Sequence, residues 1–387
     1  MQVHYFQDEK LTGISRALFE SLMDFIRLVW DKSITKDKYL EERSRLFHDN
    51  PYAGEGGLPL ALLAEDERVV GHVTSTPCKV WAQGRESLMY WNAGLYLLDE
   101  CRGKGLGNVL PQKMIDTLPL VSGFFVVEQQ LRTHTKMGWT IVGKVPEYMK
   151  VLNARNLFRN IDLSTIDQMP DYLRRFTAKK GTLFRRAGSV CFAAAISLYT
   201  ALRKLSHPVP IAHGKMVVVD EFDQRIDALW NRVKYSIPCA QVRSAAYMNW
   251  QFKKEKGWIK LVFEVKGEAM GYALCAARKF DESGRLAGLR ITSIIDILWD
   301  FQRPDIFCAM VEWIEHMARR DTSDALICSI SNAQAQTLLR KNSFFRIPGT
   351  VFFAFHAADT SLHLSPHMEE WFITRGDADA AGSLGPQ

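Results

Sequence analysis

The sequence predicts an α/β (α+β) protein made of two similar domains in tandem, each a mixed central sheet flanked by helices, joined by a helical linker. Three observations point there. First, a succession of two helices, three strands, helix, strand, helix and strand runs to residue 152 and returns from residue 213. Second, a glycine-studded loop at Arg102–Gly107 separates the third strand of the first copy from the helix after it. Third, residues 153–212 carry a basic stretch and one apolar segment instead of strand patterns. The expected divisions are 1–152 for the first domain, 153–212 for the linker, 213–357 for the second domain and 358–387 for a tail.

Within the first copy, apolar residues at 14, 18, 22, 25 and 29 mark an amphipathic helix over 14–30. A polar helix over 37–48 follows and stops before Asn50-Pro51. Strands are expected at 58–64 and 69–80 around the turn Glu65-Asp66-Glu67, with Pro77 marking an edge or a bulge. A third strand at 88–98 runs into the glycine loop. Leu106, Leu110, Met114 and Leu118 then fall at helical spacing, with Pro111 in the first turn, where its missing N–H costs nothing. A buried strand at 121–127, a short helix at 129–136 closed by Gly138, and a strand at 140–152 broken at Pro146 complete the copy.

The second copy reads as strand 216–219, helices 222–233 and 242–252, and paired strands 258–265 and 270–277 around Lys266-Gly267-Glu268. Strand 289–298, helix 306–319, strand 325–330, helix 333–341 and strand 350–355 complete it. Where the first copy has its glycines, this one reads Trp299-Asp-Phe-Gln-Arg-Pro-Asp305. A stretch without glycine is not expected to hold a diphosphate in the same way, so the second domain is read as degenerate.

Bulk composition narrows the function classes. Hydrophobic residues at 47% and charged residues at 24% are ordinary for globular protein and suffice for two cores. A net charge of +6 suits anionic ligands but does not suggest a nucleic-acid partner. Seven cysteines, an odd count without Cys-x-x-Cys pairs, argue for a reduced protein without structural zinc. The first residues carry no basic-then-apolar signal pattern, and no apolar run reaches the ~20 residues of a spanning helix. A cytoplasmic location is expected.

A strand feeding a glycine loop that opens a helix is a device for holding phosphate. Glycine permits left-handed backbone and close approach, and the helix start offers free N–H groups with a positive dipole end. Walker A spacing is absent, and a Gly-x-Gly-x-x-Gly reading fails because position 108 is Asn. The pattern present is Arg-x-x-Gly-x-Gly, at Arg102, Gly105 and Gly107. It resembles the acyl-CoA pyrophosphate loop of the GNAT superfamily of N-acetyltransferases, and the order of elements to residue 152 matches that fold. Met137-Gly-Trp139 stands where the family has its Leu-Gly-Phe turn.

This resemblance implies an acyl-CoA co-substrate, acetyl-CoA in the first place, direct transfer to a small-molecule amine in a ternary complex, and no metal. Donor contacts map onto Leu95, Leu97, Arg102, Gly103, Lys104, Gly105, Leu106, Gly107 and Asn108. The backbone N–H that polarises the thioester carbonyl falls within 95–97, foremost at Leu97. His134 stands where the family has the Tyr that protonates the leaving thiolate, and a His titrates in the useful range. The alternative for His134 is a helix residue with a backbone partner.

Glu128, at the end of a buried strand, is the candidate base, or else a carboxylate capping the next helix. Tyr90 and Asn92 alternate onto one strand face and are candidates for acceptor contact. His48, Asp49 and Glu55 are candidates for the acceptor mouth, or simply polar loop residues. Asp296, inside an apolar strand, needs a partner such as Arg243 or Arg290, or else an acceptor ligand.

Arg243–Phe252 and Trp371–Asp379 resemble segments of tandem GNAT-like proteins that accompany bacterial exopolysaccharide and surface-glycan biosynthesis, although Gln251 replaces an Arg usual there. The implied acceptor is an amino sugar or glycan precursor. Two other functions stay open: a non-catalytic CoA-binding or scaffolding subunit of a glycan-assembly complex, and a FemX-like aminoacyl transferase, against which the loop counts. For 174–204, with basic ends and an apolar middle, the readings are a connecting helix or an interfacial helix on an anionic membrane. The tail from Ala380 is small and polar, as disordered ends are. Oligomeric state is not legible.

Overall fold

The computed structural model describes residues 1–125, 128–160, 183–206, 211–253, 256–280 and 286–378. In chain order, β1 (Gln2–Phe6), α1 (Arg16–Val29), α2 (Lys36–Asp49) and α3 (Ala53–Gly56) lead into β2 (Leu60–Glu65), β3 (Arg68–Ala82) and β4 (Arg85–Leu97). Then come α4 (Val109–Thr117), β5 (Leu120–Phe125), α5 (Glu128–Lys136), β6 (Thr140–Lys144) and β7 (Glu147–Val151). Helices α6 (Ala154–Asn160) and α7 (Leu183–Ser206) precede β8 (Lys215–Val219), α8 (Gln224–Val233), β9 (Cys239–Gln241) and α9 (Ala245–Gln251). The chain continues through β10 (Ile259–Val265), β11 (Glu268–Lys279), β12 (Arg290–Trp299), α10 (Pro304–Arg320), β13 (Ala325–Ser329), α11 (Ala333–Lys341), β14 (Phe345–Ile347) and β15 (Phe352–Ala357).

Two mixed sheets result, each with helices against it. The first runs β1-β2-β3-β4-β5-β15-β6, with β9 added along β3, and the second runs β14-β7-β13-β12-β11-β10-β8. Both contain a parallel pairing, β4 with β5 and β12 with β13. Contacts divide the chain into a unit of Met1–Lys144, Ile237–Gln251 and Val351–Trp371, and a unit of Val145–Ser236, Phe252–Thr350 and Phe372–Gln387. The ranges expected from sequence, 1–152 and 213–357, are contiguous, whereas each unit is assembled from three stretches. The strand expected over 140–152 is two strands, of which β6 lies in the first sheet and β7 in the second. Conversely β15, which follows β14 in sequence, lies between β5 and β6 of the first sheet.

Local chemistry explains most elements. Ser15 and Thr35 cap α1 and α2 by accepting from the amides of Leu18 and Lys38, at 3.0 and 3.2 Å. Leu18, Leu22, Phe25 and Ile26 form the buried face of α1, and β2 is apolar on both faces because Leu60–Ala64 is buried throughout. Strand β1, which sequence reading missed, pairs antiparallel with β2 from Gln2↔Ala64 to Phe6↔Leu60; its polar residues lie at the sheet edge. A helix was expected over 242–252, but β9 ends at Gln241, residues 242–244 are irregular and α9 begins at Ala245. Pro77 sits where β3 has left β2 at Thr74 and not yet met β9 at Val80, so its missing N–H breaks no ladder on that side. The side chain of Asn50 donates instead to the Pro77 carbonyl, at 3.1 Å. Expectations for Val126 and Val127, for 174–182 and for the tail from Ala380 fall outside the described residues.

Candidate active site

Strands β4 and β5 pair over only two positions, Tyr90↔Val121 and Trp91↔Ser122. Beyond Trp91 they part. Among the described residues no ladder occupies that side of β4 from Asn92 to Leu97. The other side stays paired with β3, but with one extra residue: Thr74 faces Ala93 and His72 faces Tyr96, so a bulge is accommodated at Gly94–Leu95. Gly94 has φ +61°, a left-handed conformation that suits glycine. His72 fixes this bulge, its Nδ1 lying 2.9 Å from the Gly94 carbonyl. A carbonyl only accepts, so Nδ1 carries the proton. Burial beside Phe25 and Trp30 pushes the His72 imidazole down to about 4, keeping it neutral.

Backbone alternation fixes where the β4 amides point. The Leu98 amide donates to the Val70 carbonyl at 2.9 Å, hence toward β3. Leu97 therefore turns its N–H and C=O groups to the open side. Leu97 thus presents main-chain groups to the open edge, and Leu95 lies within the bulge.

The slot leads into the glycine loop. A short 3₁₀ turn, Asp99–Cys101, ends β4, and Gly103 and Gly105 lie beyond it with φ +76° and +78°. A second turn, Leu106–Asn108, opens into α4. At Gly103 and Gly105 an L side chain would cost about 1–2 kcal/mol in the left-handed region. Gly107 has no positive φ, and a Cβ there would meet nothing within 4 Å. The fold itself therefore does not require glycine at 107, and the space beside it is open. Among the described residues, no backbone acceptor takes the amides of Gly103 to Gly107. Arg102 lies exposed at the loop's start, paired with Asp99 at 2.9 Å and stacked over Tyr96 at 5.3 Å. Lys104 and Asn108 are exposed, and Leu106 is half-buried. These orphan amides and two cations gather at one end of the slot and suit an anion.

The other candidates occupy several places. Tyr90 is buried and donates to the Gly56 carbonyl at 2.9 Å, and burial raises its hydroxyl to about 12. Asn92, where the slot begins, accepts at Oδ1 from the Ser75 hydroxyl at 2.5 Å. His134 is buried in α5 between Phe125 and Trp139, with ring centroids at 4.3 and 4.9 Å. Its Nδ1 donates to the Gln130 carbonyl at 2.8 Å, and desolvation holds its pKa below the usual histidine range. Nε2 is then a lone pair. Glu128 begins α5. His48 pairs with Glu9 at 2.8 Å and Glu55 with Lys79 at 3.5 Å, while Asp49 is exposed at the end of α2.

In the second unit the corresponding place is filled. Strands β12 and β13 pair in parallel from Ile291↔Ala325 to Ile294↔Cys328, and β12 then runs on to Trp299. It too bulges, at Ile295, since Leu274 faces Asp296 and Cys275 faces Ile294. Against this open side lies the chain's own segment 372–377. Gly376 N–H donates to the Ile295 carbonyl at 2.8 Å, Ser331 N–H to the Ile373 carbonyl at 2.9 Å, and Thr374 bridges to Ile330. A Cβ on Gly376 would lie 2.9 Å from that of Asp296, so this close approach requires glycine. Asp296 accepts from the hydroxyls of Tyr272 at 2.7 Å and Thr374 at 2.9 Å. Arg290, a partner considered for it, is engaged bidentately by Asp321. Sequence reasoning singled out 371–379 without assigning it this place. Gly376, after the apolar run Trp371-Phe-Ile373, was the available signal.

No protein-family model and no curated protein matches the sequence. Solved structures do share its fold. A GCN5-related N-acetyltransferase from Anabaena variabilis aligns at TM-score 0.56 and 12% identity, over 95% of this chain and 75% of its own. The N-myristoyltransferase of Saccharomyces cerevisiae with bound myristoyl-CoA aligns at 0.55 and 12%, over 91% and 82%. An Enterococcus faecalis protein described as a probable N-acyltransferase aligns at 0.54 and 12%, over 94% and 74%. The likeness spans nearly the whole of this chain and establishes the fold.

Proposed function

We propose that the protein is an acyl-CoA-dependent N-acyltransferase whose donor lies in the slot along β4. The observation that carries this reading is the continuity of an unpaired strand edge, Asn92 to Leu97, with a loop of orphan amides, Gly103 to Gly107. An extended pantetheine arm pairs with such an edge, and its diphosphate sits on the loop with Arg102 and Lys104. The fold shared with a myristoyl-CoA-binding protein supports the assignment without fixing the acyl chain.

In the reaction the amine nitrogen attacks the thioester carbon, the C–S bond breaks and an amide C–N bond forms. The oxygen gains negative charge in the transition state, and in this reading the open-side amide of Leu97 stabilises it. One proton leaves the amine and one reaches the departing sulfur. His134 is held neutral with Nδ1–H committed to Gln130, so it suits proton acceptance better than donation. Glu128, at the start of the same helix, is the second candidate base. Asn92 and Tyr90 mark the acceptor side: the Asn92 amide N–H₂ has no protein partner among the described residues, while Tyr90 holds the Gly56 carbonyl of α3. The resemblance of 243–252 and 371–379 to glycan-associated proteins supports an amino sugar or glycan precursor as acceptor. The burial of His134 favours the second reading, a CoA-binding subunit without turnover.

Calorimetric titration with desulfo-CoA and free-thiol release from acetyl-CoA over an amine panel separate the two. Gly107→Val is the informative variant, because position 107 has neither a left-handed backbone nor a neighbour to clash with. It should weaken desulfo-CoA binding about tenfold or more (~1.4 kcal/mol) at an unchanged melting temperature. Wild-type affinity in Gly107→Val refutes the loop assignment. Binding without thiol release for any amine establishes the subunit reading, and tRNA binding without CoA binding establishes an aminoacyl transferase.

A further inference from the structure

The acyl-transfer reading makes no use of α7. Among the described residues one face of this helix is held: Gly188 lies against the Phe158 ring, Phe158 packs on Phe192 at 5.2 Å, and Tyr199 stacks on Phe345 at 4.7 Å. The opposite face is solvent-exposed and apolar. Val190, Ala194, Leu198, Leu202 and Leu205 succeed one another at helical spacing, with Leu198 62% and Leu205 80% exposed. From Val190 to Leu205 this stripe runs about 22 Å at ~1.5 Å per residue. Large exposed aliphatic side chains in one continuous row mark a contact surface.

Charge identifies the partner. Between Tyr172 and Val219 the sequence has nine Lys or Arg residues and no Asp or Glu, more than the net +6 of the whole chain. The rest of the sequence is therefore net acidic, and the excess of cations falls in the stretch of sequence that contains α7. Exposed Arg186 precedes the apolar stripe, Arg203 near its end lies over the Tyr199 ring at 5.6 Å, and the sequence sets Arg185 and Lys204 next to them. Among the described residues no helix is long and apolar enough to cross a membrane. We propose that α7 lies in the plane of an anionic phospholipid surface, its apolar stripe in the acyl boundary and its cations at the headgroups. A neutral partner surface would draw nothing from those cations, and a second copy of this strongly basic segment would be repelled by them.

The stripe carries its own reporter. Cys191 is the one exposed cysteine of the seven and adjoins Val190 on the exposed face. The full-length protein, labelled there with an environment-sensitive fluorophore, is titrated with phosphatidylcholine vesicles containing 30% phosphatidylglycerol (about one-third, an ordinary anionic content) and with pure phosphatidylcholine. A blue shift and at least tenfold stronger partition onto the anionic vesicles, weakened by salt, are expected. The double variant Leu198→Glu/Leu202→Glu should lose that partition while keeping its melting temperature and its desulfo-CoA affinity, which separates this proposal from the acyl-transfer reading. Absence of wild-type partition overturns the proposal, as does equal partition onto both vesicles or retention of binding by the double variant. A wild-type dimer that the double variant dissolves, without vesicle binding, assigns the stripe to a second copy and overturns it as well.

Discussion

His72 shows how one buried side chain governs the slot's shape. The residue is 6% exposed, and its Nδ1–H holds the carbonyl of Gly94, the residue on which the β4 bulge turns. Folded, it titrates at about 4 because burial penalises the imidazolium, whereas unfolded it returns to ~6.5. The folded state thus binds fewer protons between these values. Its contribution to stability is intact above pH 6.5 and falls as pH drops toward 4, losing about 3 kcal/mol over that window. Urea unfolding at a series of pH values should give wild type a steeper acid decline than His72→Gln, with up to one more proton taken up on unfolding near pH 5. Parallel curves would show that His72 is not protected. Sequence disclosed the loop glycines, because left-handed turns select for glycine locally. It did not disclose His72, since a His within a strand pattern signals nothing until its partner, 22 residues onward, is known. Nor did it show that Tyr90 and Asn92, read as one face, are committed to Gly56 and Ser75.

At the scale of elements, hydrophobic periodicity located nearly every helix and strand but did not say which strand stands beside which. Strand β15 illustrates the reason. Phe353, Ala354 and Phe355 announce a buried strand, yet nothing in them names β5 and β6 as neighbours, and β15 pairs with both from a position more than 200 residues along the chain. A bulge at Phe353–Ala354 adjusts its register to β6. The first sheet therefore lacks an interior strand unless 351–371 is present. A fragment of residues 1–152, which sequence alone suggested as a domain, would expose the β5 edge and one face of Phe125 and Trp139, and would carry β7 without its own sheet. Such a fragment should show far-UV helix and strand signal but weak near-UV dichroism and dye-binding apolar surface. A sharp, cooperative melt of 1–152 with native near-UV dichroism would mean that β15 is dispensable.

Over the whole molecule, the two units pose one question: how many donors does a chain bind? Both contain a parallel pair that parts, and both bulge on the strand that borders the gap, at Gly94 and at Ile295. The difference lies in the loop at the end of each gap. The first gap opens onto Gly103, Gly105 and Gly107, whose amides meet no backbone acceptor among the described residues. The second opens onto Trp299–Asp305, without glycine, and already holds 372–377, whose Gly376 amide takes the bulge carbonyl and whose Ile373, Thr374 and Asp377 are buried. Removing that segment would uncover Asp296 and take away the Thr374 hydroxyl that donates to it, and a buried acceptor that loses a hydrogen bond costs on the order of 1–3 kcal/mol. A donor entering the second gap would have to supply that energy in addition to its own ordering. Calorimetry with desulfo-CoA should therefore return one site per full-length chain, and Gly107→Val should weaken that single site without revealing another. Hydrogen exchange gives the same test from the other side: the amides of Ser331 and Gly376 should remain protected, and unchanged, at saturating desulfo-CoA. Two sites per chain, or deprotection of Gly376 on adding the ligand, would show that the tail is displaced and that both units take donor.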